Sequence, residues 1–227
     1  MKIQYLGHAS LLIHAGGRNI VVDPFISGNP LAAGIIDVNA IPADYMLIAH
    51  AHQDHILDVE HIARRNPGVK LVSNFEIVNH FGQLGIDGHP MNHGGSWDFD
   101  FGRVTYVNAI HTSSFPDGSY GGQPGGFVIE SEGKAIYIAG DTALTYDMKT
   151  IPMMTRLHAA FLPIGDNFTM GPQSAAIAAD FIGLDVIVGY HFDTFDLIRI
   201  NHAEAKEIFR KAGKKLILPA IGEIFEV

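Results

Sequence analysis

Ala49-His50-Ala51-His52-Gln53-Asp54-His55 decides how this chain is read. It follows a short apolar run, Tyr45–Ile48, that reads as a buried strand, so the histidines stand where a strand gives way to a loop. His50 and His52 are two residues apart, and in an extended backbone their imidazoles project to the same side. Asp54 and His55 follow where the chain turns toward a helix expected over Asp58–Arg65. Four ligand-type side chains within six residues are costly to pack together unless something electropositive lies among them. A divalent metal is the simplest such partner. A solvated polar loop would show scattered polar types rather than the order H-x-H-x-D-H.

Three more residues of the same kinds occupy matching places. His111 ends a strand expected over Arg103–Ile110, Asp141 follows Ala135–Ala139 through Gly140, and His191 follows Val186–Tyr190. Residues at the ends of neighbouring strands converge in space, which is how sheet proteins assemble sites. Singly, each is an ordinary strand end; together with the cluster they make a set.

The rest of the chain reads as strands Lys2–Tyr5, Leu11–Ala15 and Asn19–Asp23, with Gly16-Gly17 as a hairpin turn. Leu71–Ser73, Trp97–Phe101, Phe127–Glu130, Ala159–Leu162 and Leu216–Leu218 read as further strands, and Glu76–Leu84, Pro172–Ile182 and Ala203–Lys211 as helices. Ser27–Asn39, Gly88–Gly95 and Thr112–Gly126 are rich in turn residues and read as loops. No change of composition and no linker divides the chain, so a single domain over 1–227 is expected.

With 47% apolar residues among 227, a sizeable core is available without staples. Twenty-four acids against fifteen bases give a formal charge of −9, which repels phosphate backbones and disfavours a nucleic-acid partner. No apolar run approaches the length a membrane span needs, so no membrane partner is expected. Cysteine is absent, which excludes disulfides, thiolate nucleophiles and cysteine-ligated metal. MKIQYLGHASLLIHAGG reads as a first strand pair rather than a signal peptide, and a cytoplasmic location is the expectation. A mean hydropathy of +0.16 leaves a homo-oligomer open. The unusual number is 13 histidines, the commonest metal-ligating side chain.

The order His50-x-His52-x-Asp54-His55, then His111, Asp141 and His191, resembles the metal-site motif set of the metallo-β-lactamase superfamily over almost the whole chain. The resemblance implies an α+β fold: a four-layer αββα sandwich of two mixed β-sheets flanked by helices, with metals at one sheet edge. Carried over position by position, it assigns His50, His52 and His111 to one metal and Asp54, His55 and His191 to a second, with Asp141 bridging both. Three neutral imidazoles suit Zn²⁺, and an oxygen-richer second site accepts Zn²⁺, Mn²⁺, Fe²⁺ or Ni²⁺. Two divalent ions, Zn²⁺ first among them, are therefore the expected cofactors. Two metals about 3.5–4 Å apart share a hydroxide whose pKa falls toward ~7 and which attacks a carbonyl or phosphoryl centre. Asp54 would both ligate and orient that nucleophile, and no side-chain nucleophile of the G-x-S-x-G kind is needed.

Tyr5-Leu6-Gly7-His8-Ala9-Ser10, Gly140-Asp141-Thr142, Leu162–Gly171 and His191-Phe192-Asp193-Thr194-Phe195 resemble a small bacterial and archaeal group of metal-dependent hydrolases, similar to the ascorbate-phosphate lactonases. The expected activity is hydrolysis of a small ester, lactone or phosphodiester, with a small molecule as the only partner. The cysteine near the second metal of many true β-lactamases is absent, which argues against β-lactam hydrolysis. The resemblance places His8 near the metals, as a catalytic residue that orients a leaving group or donates a proton; a structural histidine bonded to the backbone is the alternative. Asp166 and Asn167 are expected to cap the helix beginning at Pro172 or to meet substrate, and Asp193 and Thr194 to fix the ring of His191. The glycines of Gly121–Gly126 suit either a closing loop or a mobile hairpin. A rival of another class is a non-catalytic metal- or ligand-binding module on the same fold, which would be expected to have lost one of the ligands.

Overall fold

Strict alternation along the first strands sorts their side chains into layers. In the computed structural model, which describes residues 1–227, β1 (Lys2–Gly7), β2 (Ser10–Ala15) and β3 (Arg18–Val22) turn Ile3, Tyr5, Leu11, Ile13, Ile20 and Val22 into a central core. Leu12 and Val21 face the other way, into a second apolar layer. Gly16 and Gly17 join β2 to β3 with positive φ at both positions, as a tight hairpin requires. The sheet continues in parallel through β4 (Tyr45–Leu47), β5 (Lys70–Asn74) and β6 (Gly88–Met91).

A second sheet repeats the plan. Its antiparallel part is β7 (Ser96–Phe99), β8 (Gly102–Asn108), β9 (Gly125–Ser131) and β10 (Lys134–Ile138). Its parallel part adds β11 (Ala159–Pro163), β12 (Val186–Tyr190) and β13 (Lys215–Ile217). A last strand, β14 (Ile224–Glu226), returns to pair with β1, so each sheet has seven strands.

Parallel strands need crossovers, and these are largely helical. Helices α1 (Gln53–Ile56), α2 (Val59–Arg65) and α3 (Phe75–Gln83) belong to the first half, and α4 (Ile151–Met154), α5 (Pro172–Phe181) and α6 (His202–Lys211) to the second. Val59, Ile62, Ile77 and Phe81 from α2 and α3 pack on the outer face of the first sheet, against Val21, Met46 and Leu71. Ala175, Ala178, Ala179, Ala205 and Phe209 from α5 and α6 pack on Val128, Tyr137, Leu162 and Ile187 of the second. The inner faces meet each other, Ile13 and Val22 sharing a core with Ile129, Ile136 and Phe161. This is the expected α+β sandwich. No helix is long and apolar enough to cross a membrane.

Several local readings are corrected. Gly88–Met91 is a strand rather than part of a loop, because Pro90 lies on the edge strand, where a missing donor is tolerated. β14 is only three residues long and carries too little pattern to be seen in sequence. Gly121–Gly126 is tied to β5 and runs into a strand. Asn74 donates from Nδ2 to the carbonyls of Gly121 and Gln123, and β9 begins at Gly125. α5 starts at Gly171 with no side-chain cap, and Asp166 and Asn167 are exposed in a left-handed turn.

Gly140, two residues beyond β10, stands at a crowded place with φ +64. A Cβ there would stand 2.6 Å from the carbonyl oxygen of Gly125 and 2.9 Å from Cβ of Ala49. We expect Gly140→Ala to cost about 1–3 kcal/mol, from backbone strain and overpacking together. A lowered urea midpoint at unchanged m-value would register it, and an unchanged midpoint would contradict the packing described.

Candidate metal centre

The chain leaves β4 through Ile48 and Ala49 and remains extended to His52 (φ −65, ψ 147), which precedes the first turn of α1. That turn carries Asp54 and His55. His111 lies just beyond β8, Asp141 just beyond β10, His191 directly after β12 and His8 directly after β1. His8 and His191 both take left-handed backbone angles, φ 54 and 56. The amide of His191 donates to the carbonyl of His8 at 2.8 Å, which stitches the two sheets together and brings the two rings to 4.0 Å.

Three buried tyrosines of the central core brace these turns from below. Tyr5 donates to the carbonyl of His8, Tyr106 to that of Ala49 and Tyr190 to that of Gly140, at 3.1, 3.1 and 3.2 Å. Each hydroxyl thus satisfies a backbone carbonyl at or next to a residue of the cluster. Burial pushes all three phenols above their ordinary range, so they remain donors.

The candidate donor atoms form three overlapping groups, each with its atoms within 4.8 Å of one another: His50, His52 and His111; His8, Asp54, His55 and His191; and His50, His55 and Asp141. Asp141 is buried at their meeting point, with Oδ2 3.0 Å from Nε2 of His191 and 3.6 Å from Nε2 of His111, and Oδ1 3.5 Å from Nε2 of His55. His50 Nε2 and His52 Nδ1 face each other at 3.0 Å. Two nitrogens on one tetrahedral zinc stand about 3.3 Å apart, so this spacing is near that of a shared ion. Nε2 of His55, Nε2 of His191 and Oδ1 of Asp141 are buried without a hydrogen-bond partner. Orphaned donors and acceptors pointed at one another are what a set of metal ligands looks like, and a mixed imidazole–carboxylate set fits a divalent ion.

The electrostatics agree. Burial, with the charge of His191 next, pushes His8 down to about 3. Burial, aided by His55, likewise lowers His50 and His52, and burial lowers His111 despite Asp141. Burial alone would lower His191 too, but the carboxylate of Asp141 overrides it and raises the ring to about 9. His55 also goes up, because Asp141 and Asp23 outweigh its burial. Burial would raise Asp141, yet His191 and His55 hold it well below the usual carboxylate range.

All eight residues singled out in sequence, His8, His50, His52, Asp54, His55, His111, Asp141 and His191, meet in this one place. His8 is bonded to side chains rather than to backbone, through Nε2 to Asp54 Oδ2 and Nδ1 to Thr194 Oγ1, both 3.0 Å. The expectation that Asp193 and Thr194 fix His191 is not met. Thr194 serves His8, and Asp193 accepts from His202 at 2.6 Å and from the amide of Ile200. Asp23 was missed. Fully buried at the end of β3, it lies 3.0 Å from Nδ1 of His55 and accepts from the amide of Ala49, tying the cluster to the first sheet. A single acid after an apolar strand, before Pro24, was its only sequence signal.

The profile of the beta-lactamase superfamily domain matches residues 2–191. This chain belongs to the metallo-β-lactamase superfamily. Within the superfamily it stands among the metal-dependent hydrolases. A UPF0173 metal-dependent hydrolase from Flavobacterium johnsoniae is 63% identical over 227 residues, covering the whole of both chains. Another from Christiangramia forsetii is 62% identical over the same span. Among solved structures, Igni18, a metallo hydrolase from the archaeon Ignicoccus hospitalis, is 34% identical with a TM-score of 0.88, covering 100% of this chain and 98% of that one.

The His191 shift gives a pH dependence for this superfamily member when stripped of metal. The folded ring holds its proton up to about 9 against an ordinary 6.5, so its stabilising contribution is complete below pH 6.5 and is lost as pH rises toward 9. Chelator-treated protein should therefore lose urea resistance between pH 6.5 and 9, and His191→Gln should remove the His191 share of that slope and leave the share of His55, whose ring is raised as well. A flat profile in the parent chain would refute the assignment.

Proposed function

We propose that the chain is a dinuclear hydrolase of a small ester, lactone or phosphodiester. His50, His52 and His111 hold one divalent ion, Asp54, His55 and His191 a second, and Asp141 lies between them. The observation that carries this reading is the pair of donor groups joined through the buried, partnerless Oδ1 of Asp141. Bound there, two ions would supply Lewis acidity and an activated water, with Zn²⁺ the first choice for so imidazole-rich a set.

The chain's own residues then divide the remaining work. Asp54 is the carboxylate of the cluster that reaches solvent, its side chain 26% exposed, and so is placed to meet an incoming water or substrate. His8 has both ring nitrogens engaged, by Asp54 and Thr194, which suits it to hold Asp54 in one orientation rather than to deliver a proton. Asp23 fixes the ring of His55 from behind, as outer partners of metal-binding histidines do. The same reading takes residues 1–227 as one domain with a small molecule as its substrate. A cytoplasmic location belongs to the same reading.

Elemental analysis of protein purified without chelator should find close to two equivalents of divalent metal per chain. Asp141→Ala should reduce that content and lower hydrolysis by more than about 100-fold, since losing even an outer partner of a metal site typically costs 10–100-fold. Full activity in the variant would sink the bridging role. Full activity with one equivalent in the parent would sink the dinuclear one.

A further inference from the structure

Resting on the hydrolase reading above, we infer that the substrate is an uncharged ester or lactone whose apolar substituent lies against a wall of Phe25, Leu57 and Phe195. The ring of His8 touches this wall edge-on, with centroids 5.3 Å from Phe25 and 5.4 Å from Phe195, and those two phenyl rings are 6.0 Å apart. Leu57 continues the turn of α1, three residues after Asp54, which puts the two side chains on one helical face. Gly28 packs its backbone closely against Phe25 and Leu57, which joins these two side chains into one surface. A Cβ there would come within 2.5 Å of the Phe25 ring and 2.6 Å of Leu57 Cδ2.

Phe195 and Leu57 are 39% and 37% exposed, large apolar side chains left open beside the carboxylate that opens to solvent. Burying such surface against a ligand is the favourable term available on this side of the site.

The charge pattern argues against an anionic substrate. Phosphodiester recognition ordinarily adds lysine or arginine to whatever metals are present. Here the charges that act on the cluster's imidazoles and carboxylates are chiefly one another's. Several cations form their ion pairs elsewhere, among them Arg18 with Asp100 and Asp44, Arg103 with Asp98, and Lys214 with Asp180 and Asp185. Arg199, close to Phe195 in sequence, is held at the surface by Asp196 at 2.9 Å. In the reaction, the oxygen of water ends on the acyl carbon and the acyl C–O bond breaks with its electron pair on the alkoxy oxygen. That oxygen takes a proton from the same water, giving acid and alcohol.

The test uses metal-loaded protein and two readouts. In calorimetric titration, hexanamide should bind at least tenfold more tightly than acetamide, about twofold per methylene on a half-exposed wall, where full burial would give about fourfold. Dimethyl phosphate should bind more weakly than hexanamide. Phe195→Ala and Leu57→Ala should each erase most of the chain-length ratio, and Phe195→Leu should keep it, which separates loss of the wall from loss of the fold. Hydrolysis of p-nitrophenyl acetate and hexanoate should follow the same order, with bis(p-nitrophenyl) phosphate the poorer substrate. Tighter binding of dimethyl phosphate, no chain-length preference in the parent, or a ratio unchanged in both alanine variants would overturn the inference. Tight hexanamide binding with no hydrolysis of any of the three esters would sink the hydrolase reading alone.

Discussion

A single buried carboxylate, that of Asp141, sets the terms for this structure. An ionised acid taken out of water costs several kcal/mol unless charge of opposite sign surrounds it. Asp141 meets that demand with His55 from α1 and His191 from the end of β12, and His111 from beyond β8 stands 3.6 Å away. The two sheets must therefore close so that these strand ends arrive within a few ångströms. The glycine before Asp141, the contact between the backbones of His8 and His191, and the tyrosines under the ligand-bearing turns all act on that closure.

The support is graded with depth. Tyr5, Tyr106 and Tyr190 belong to the apolar core between the sheets, yet each sends its hydroxyl up to a carbonyl of the site. Core packing and site geometry are thus one system. Above the tyrosines lies Asp23, which couples His55 to the strand carrying Ala49 and His50. Left-handed backbone at His8, Asp23 and His191 is concentrated in this shell, as expected where surrounding structure over-determines a functional conformation.

The two sides of the opening differ in chemistry. His52 and His111 are half-buried on one side, with Thr112 beside His52. Phe25, Leu57 and Phe195 flank the other, next to His8 and Asp54. The charges that act on the imidazoles and carboxylates of the cluster are chiefly one another's, with no lysine or arginine prominent among them.

The sequence by itself determined the sandwich and the set of candidate donors that meets at one end of it. H-x-H-x-D-H compresses four donors into one strand end and one helical turn, and periodic apolar strands announce His111, Asp141 and His191 as strand-end residues. Local pattern carries that much because strand period and helix turn fix side-chain direction over a few residues. Only the tertiary structure decided what stands behind and beside those donors. Asp23 meets His55 across 32 positions in sequence, Thr194 meets His8 across 186, and β14 pairs with β1 across almost the whole chain. Asp193, two residues from His191, turns instead to His202. Such partners depend on how two sheets pack, and the packing is set by the summed burial of residues from every strand. No short stretch of sequence records it.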